Sequence, residues 1–163
     1  MTRMKICIHQ ASSAESNNIA VLLNELLSEI MLSTGEQHFH IDLASTQERV
    51  DEWLRQGKYV VFIASTQDPS NSLGFIALYE SYALYAEGAF GTIPEFYVRP
   101  EYRSLGIGRR LLDRGIDYAR HKDWTRLEVT TPTLPVFERT FRFYEQQGFS
   151  ISGGRKLKRL LKS

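Results

Sequence analysis

Between Val98 and Ile107 the apolar spacing changes from alternation to a repeat of three and four, across a loop that holds Gly106 and continues into Gly108. Alternation marks a strand with one buried face and the longer repeat marks a helix, so here a strand must deliver the chain directly into a helix. Ile107, Leu111, Leu112, Ile116 and Ala119 form the helical stripe, and Arg120, His121 and Lys122 close it where the helix dipole favours cations. Another alternating segment, around Leu127 and Val129, follows. A strand, a helical crossover and a second strand of one sheet make a parallel pair with a right-handed connection.

Upstream, the chain reads differently. Residues 59–64, 73–79 and 89–98 are rich in β-branched and aromatic residues and separated by turn chemistry, including Asp68-Pro69-Ser70-Asn71, which predicts an antiparallel meander. Pro94 falls inside the third run, where its missing N–H predicts a bulge, an edge or a local opening of the ladder. Residues 4–9 alternate as a first strand. Ile19, Leu22, Leu23, Leu26, Leu27, Ile30 and Met31 predict a helix that stops before Gly35, and Ser45 with Glu48 reads as a capping box for a second helix ending at Gly57. Phe137, Phe141 and Tyr144 predict a last helix ending at Gly148, and Gly153-Gly154 within residues 149–161 predicts a hairpin. The expected architecture is α+β: a mixed sheet of about six to seven strands, antiparallel in its first half and parallel in a splayed pair, flanked by about four helices.

With 163 residues, 42% apolar and 24% charged, the composition is that of one globular domain spanning residues 1–163. The single cysteine, Cys7, forbids an internal disulfide, and the N-terminus has no apolar leader, so a cytoplasmic setting is expected. No run approaches the roughly 18 to 20 apolar residues that span a bilayer, so no membrane role is expected. A net charge of +1 gives no support to nucleic-acid binding, although Arg155, Lys156, Lys158, Arg159 and Lys162 make residues 151–163 strongly basic. His38 and His40 flank Phe39, but without a cysteine or third histidine nearby no metal site is expected. Cys7, in a strand pattern, reads as a small buried apolar residue and not as a nucleophile. The run 79–87 offers tyrosines and carboxylates that suit a cationic amine, or simply an amphipathic hairpin.

The stretch from Phe96 to Leu112 carries the chemistry. Amides at a helix start lack partners and point outward, the dipole adds positive charge, and glycines let an anion approach the backbone. Arg103 adds a possible charge-assisted contact. The loop is no P-loop, since no Gly-Lys-Ser/Thr follows, and lacks the Gly-x-Gly-x-x-Gly dinucleotide spacing. It reads as a phosphate or pyrophosphate cradle, or else as a tight turn with helix-packing glycines.

Tyr97-Val98-x-Pro100-x-Tyr102-Arg103-x-x-Gly106-Ile107-Gly108, followed by Leu111-Leu112, resembles the acetyl-CoA-binding motif of the GNAT superfamily of N-acetyltransferases. Phe143-Tyr144-Glu145-Gln146-Gln147-Gly148-Phe149 is similar to the same family's C-terminal signature. The resemblance implies a GNAT-like fold and acetyl-CoA as donor, with no metal. Its pyrophosphate would lie on Arg103, Ser104, Leu105, Gly106, Ile107, Gly108 and Arg109, and its pantetheine arm would pair with the backbone of Tyr97 and Val98. It further implies that Tyr144 protonates the leaving thiolate and that Glu95 is the base for an attacking amine, with backbone N–H near Val98 polarising the carbonyl. Many relatives carry asparagine seven residues before the tyrosine. Here that position is Phe137, which implies that part of the usual polar contact with the coenzyme is either missing or supplied by another group, Thr131 or Thr133 for instance.

The function expected from this resemblance is acetyl transfer to a primary amine, on a small molecule or a peptide, by direct attack in a ternary complex. The competing readings are a non-catalytic acyl-CoA-binding module on the same fold and an unrelated phosphate-binding protein. The 149–161 arm could pair with a second copy in a homodimer.

Overall fold

The computed structural model describes residues 4–36, 41–131 and 137–162. The chain divides into two compact units, Met1–Thr130 and Thr131–Ser163. The first contains β1 (Cys7–Gln10), α1 (Ser16–Thr34), α2 (Leu43–Arg55), β2 (Val60–Ser65), β3 (Ser72–Ala83), β4 (Gly88–Ile93), β5 (Phe96–Val98), α3 (Ile107–His121) and β6 (Leu127–Val129). The second contains α4 (Glu138–Gln146).

The six strands form one mixed sheet in the order β1-β2-β3-β4-β6, with β5 also paired to β3. β1, β2, β3, β4 and β5 pair antiparallel with their neighbours, and β4 pairs parallel with β6 across the α3 crossover. This matches the expected mixture. The long central strand β3 is buried on both faces in its first half, which explains its nearly continuous apolar run.

Strand alternation sorts the core into two layers. Val61, Ile63, Phe75, Ala77 and Tyr97 face Ile19 and Leu22 of α1, with Val50 and Leu54 of α2 packed at the margin. On the other face, Phe62 meets Tyr118 of α3 at 5.9 Å between ring centroids, and Ile76 and Leu78 lie under Gly115. The α3 stripe is as expected, with Ile107, Leu111, Leu112 and Ala119 buried.

Two expectations need correction. α2 starts at Leu43 with Asp42 as its N-cap; Thr46 N–H and the Ser45 hydroxyl both donate to the Asp42 carbonyl, so Ser45 lies inside the first turn. A capping box occurs instead before α1, where the Glu15 carboxylate accepts the Ser12 amide at 3.0 Å and also holds His9 Nε2 at 2.6 Å. Residues 149–162 contain no strand; Ile151, Leu157, Leu160 and Leu161 stand exposed there. A turn at Gly153-Gly154 leaves only residues 149–152 to pair with the basic arm, and so short a hairpin without a third strand is at best marginally stable.

Candidate active site

The site begins at the irregularity that Pro94 creates. Tyr79 pairs with Thr92 but Ile76 pairs with Phe96, so β3 spends two residues where its neighbour spends three. The extra residue is a β-bulge at Pro94 and Glu95, where proline has no N–H to lose from the ladder. The parallel partner β6 follows β4 only as far as Ile93 opposite Val129. Beyond that point no strand among the described residues pairs with the outer edge of β5.

The hydrogen-bond phase tells which groups that edge presents. Ala77 N–H donates to Glu95 O at 2.9 Å and Arg99 N–H to Leu73 O at 2.8 Å, so residues 95, 97 and 99 turn their backbone toward β3. Val98 turns the other way, and its carbonyl accepts Arg103 Nε at 2.8 Å. Of the two backbone positions picked out for the pantetheine arm, Val98 lies on the open edge, whereas Tyr97 is engaged with Phe75 in the ladder. Gly74 permits this close pairing, because a Cβ there would stand 2.4 Å from the Tyr97 carbonyl oxygen.

After β5 a short 3-10 turn, Pro100–Tyr102, leads into the glycine loop. Arg103 is extended, Ser104 adopts φ 68° and Gly106 φ 80°, and α3 follows at once. Nothing lies within 4 Å of a Cβ built at Gly106, so its backbone conformation and not crowding calls for glycine. Arg110 is the first residue whose amide enters the helical ladder, bonding Gly106 O at 3.1 Å. Among the described residues the amides at positions 105–109 have no protein acceptor. Such a run of outward N–H groups beside the positive end of α3 is chemically an anion cradle, and it fits a diphosphate.

The arginines are tied to α1. Arg99 grips Glu25 through Nε at 3.0 Å and Nη2 at 2.9 Å and donates Nη1 to Ser72 O at 2.8 Å. Arg103 reaches Glu29 at 2.9 Å and lies over the Tyr97 ring. The Tyr97 phenol donates to Glu25 at 3.2 Å; burial first, then the Glu25 charge, push it up to about 12. Thus Arg103 is occupied by Glu29 and Val98 in this structure, and the exposed Arg109 sits one turn further on. Glu25, Glu29 and Arg99 were not singled out from the sequence.

Glu95 lies on the α1–α2 side of the sheet, as its alternation with the buried Tyr97 requires. Burial raises its carboxyl to about 7, against a lowering contribution from Tyr59, whose hydroxyl lies 3.2 and 3.3 Å from the two carboxylate oxygens. A carboxylate that titrates near neutrality can accept a proton under ordinary working conditions.

Tyr144 belongs to the second unit. There Gly148, at φ 92°, ends α4 in a Schellman motif: Phe149 N–H bonds Tyr144 O at 3.0 Å and Gly148 N–H bonds Glu145 O at 3.1 Å. The motif brings Phe149 back onto Tyr144, 5.4 Å between ring centroids, with Phe143 at 5.5 Å on its other neighbour. The Tyr-x-x-x-Gly-Phe spacing thus sets Phe149 against this buried tyrosine, and burial raises its phenol well above the ordinary value. Phe137 is the N-cap of α4 and Thr131 is half-buried; Thr133 lies outside the described residues, as do His38 and His40. Among the described residues no cluster of metal-binding side chains occurs, and Cys7 is a half-buried free thiol. In the 79–87 run, Glu80 is held by Trp124 Nε1 at 2.7 Å and by the Tyr82 phenol, while Tyr82, Leu84 and Tyr85 are exposed.

The family model described as Acetyltransferase (GNAT) family matches residues 23–149. The fold is similar to that of a probable acetyltransferase, at 23% identity and a TM-score of 0.76 over 96% of this chain and 98% of the other. It is also similar to the aminoglycoside N-acetyltransferase AAC(6')-Iy in complex with CoA, at 15% identity and a TM-score of 0.78 over 99% and 98%. A third similar structure is a ribosomal-protein-alanine N-acetyltransferase from Brucella melitensis biovar Abortus 2308, at 19% identity and a TM-score of 0.69 over 96% and 100%. No curated protein sequence matches the chain. No helix among the described residues is long and apolar enough to cross a membrane.

Proposed function

The chain belongs to the GNAT acetyltransferase family and is an acyl-CoA-dependent N-acetyltransferase; we propose that it transfers acetyl from acetyl-CoA to a primary amine by direct attack within a ternary complex. The observation that carries this reading is the row of unclaimed amides at 105–109 beside the open edge of β5. Acetyl-CoA, when bound, supplies a thioester carbonyl. The amides of Leu105, Gly106, Ile107, Gly108 and Arg109 would hold its diphosphate, with Ser104 and Arg103 completing the turn. Val98 offers its N–H to the carbonyl oxygen as negative charge grows there. Glu95 takes the proton that the amine gives up, and Tyr144, kept protonated by burial, donates one to the departing thiolate.

Glu95 and Val98 are three positions apart on one strand, about 10 Å along it, a separation that suits one group at the amine and the other at the coenzyme. The acceptor class is a small-molecule amine or a peptide amine; an anionic Glu95 favours one that arrives as an ammonium. We read residues 1–163 as one functional domain, since the family match runs continuously through residues 130 and 131, working in the cytoplasm and without a metal. A homodimer joined through the 149–161 arm would cover the exposed leucines there.

The test is CoA binding with release of thiol. Gly106→Glu should weaken CoA binding at least 100-fold, because it places a carboxylate among amides that await an anion and strains φ. A folded variant that still binds CoA as wild type does would refute the cradle.

A further inference from the structure

Tyr59 precedes β2, and its register continues that of Val60 opposite Leu78, which sets it across from Tyr79. The two rings stack at 5.9 Å with 16° between planes, and Trp53 of α2 closes against Tyr59 at 5.1 Å. Tyr59 N–H also bonds the Trp53 carbonyl, so side chain and backbone are both fixed. Between Tyr59 and Glu95 runs β3, whose Ala77 pairs with Val61 on one side and donates to Glu95 O on the other. A residue no larger than alanine at that crossing leaves a path along the sheet surface, and the phenol uses it to reach the carboxylate, 36 positions away in sequence.

We propose that Tyr59 is a positioning residue for Glu95: its clamped phenol donates one hydrogen bond shared between the two carboxylate oxygens, which sets the plane of the carboxylate and favours its ionised form. This rests on the reading of Glu95 as base. An ionised carboxylate only accepts, so the phenol must be the donor. It remains one throughout the working range, because burial and the neighbouring Glu95 charge both raise its pKa. The other groups on this face do not compete: Tyr79 is stacked on Tyr59, and Glu25 and Glu29 of α1 are claimed by Arg99 and Arg103. Without Tyr59, desolvation would act on Glu95 unopposed and hold its proton to still higher pH.

The experiment is a carbon-13 NMR titration of protein labelled at the glutamate side-chain carboxyls, with the Glu95 resonance assigned by its loss in Glu95→Gln. Wild type should titrate near 7. Tyr59→Phe, which keeps the stacked ring, should raise the midpoint by about one unit, and 3-fluorotyrosine installed at position 59 alone, a stronger donor, should lower it. With acetyl-CoA and sisomicin, an alanine-initiated peptide and a polyamine as amine probes, the acid limb of kcat/KM should move with the midpoint. Unchanged midpoints in both variants would overturn the proposal. An acid limb that survives Glu95→Gln would overturn the base assignment and this inference with it, whereas a limb lost in Glu95→Gln but unmoved in Tyr59→Phe would overturn the positioning role alone.

Discussion

Gly74→Ala tests whether the close approach of β5 to β3 builds the site. A new Cβ would stand 2.4 Å from Tyr97 O, 3.0 Å from Val98 Cα and 3.3 Å from Tyr97 C, all backbone atoms that cannot rotate aside. Its φ is not in the left-handed region, so in open space the same change would stabilise by about 0.4 to 1 kcal/mol through the unfolded chain. The overlap works in the opposite sense: overpacking costs about 1 to 3 kcal/mol, and displacing β5 weakens the Arg99 N–H to Leu73 O bond beside it, worth about 1 kcal/mol. The clash should win, leaving a net loss of about 1 to 3.6 kcal/mol, which for a chain of this size lowers Tm by about 2 to 14 °C. Because Val98 is the residue displaced, CoA affinity should fall as well. Gly115→Ala is the control: its Cβ would meet Leu78 and Ile76 side chains at 3.4 to 3.6 Å, ordinary contact, so the gain in helix propensity should leave stability equal or higher. Thermal melts by circular dichroism and CoA titration calorimetry read both quantities. A Gly74→Ala protein with unchanged or higher Tm and unchanged CoA affinity would refute the claim that this glycine sets the open edge.

Tyr144→Phe should lower kcat about 10- to 1000-fold while leaving CoA affinity nearly unchanged; steady-state kinetics with calorimetry separate the two, and an unaltered kcat across pH would remove the phenol from the mechanism. Glu95 should impose an acid limb on kcat/KM with a midpoint near 7 that Glu95→Gln abolishes. The same carboxyl makes a stability prediction: its folded value lies above the ordinary 4.5, so the folded chain holds that proton longer than the unfolded chain does. Its contribution is therefore present in full below about 4.5 and lost as pH rises toward about 7. In denaturant melts between those limits, Glu95→Gln should flatten the fall, and an identical pH dependence in the two proteins would contradict the shift.

The elements most readily read from the sequence are those whose cause is local. Pro94 announced its own bulge because the missing N–H is a property of one residue, and the α3 stripe of Ile107, Leu111, Leu112 and Ala119 needed only the helical repeat. The start of α2 misled because Ser45 and Glu48 have the composition of a capping box, yet Asp42, three positions earlier, already accepts the first turn's donors. The 149–161 segment misled for a different reason: two adjacent glycines permit a turn, but a hairpin also needs two strands that gain by pairing, and the arm before this turn has only residues 149–152.

The same division runs through the site. The junction at Gly106 was legible because a positive φ there and the amides without acceptors around it follow from one local change of repeat, and the end of α4 was legible because Gly148 stops a helix by its own conformation. Tyr59 with Glu95, and Glu25 with Arg99, lie 36 and 74 positions apart, and no pattern along the chain joins them. What joins them is register: once β2 sets Tyr59 beside Tyr79 and the bulge sets Glu95 beside Ala77, a tyrosine two strands away comes within hydrogen-bond reach of a carboxylate. The bulge is decisive. Without its extra residue Glu95 would change faces relative to β3 and turn toward α3, so the one sequence irregularity that was visible is also the condition for the contact that was not.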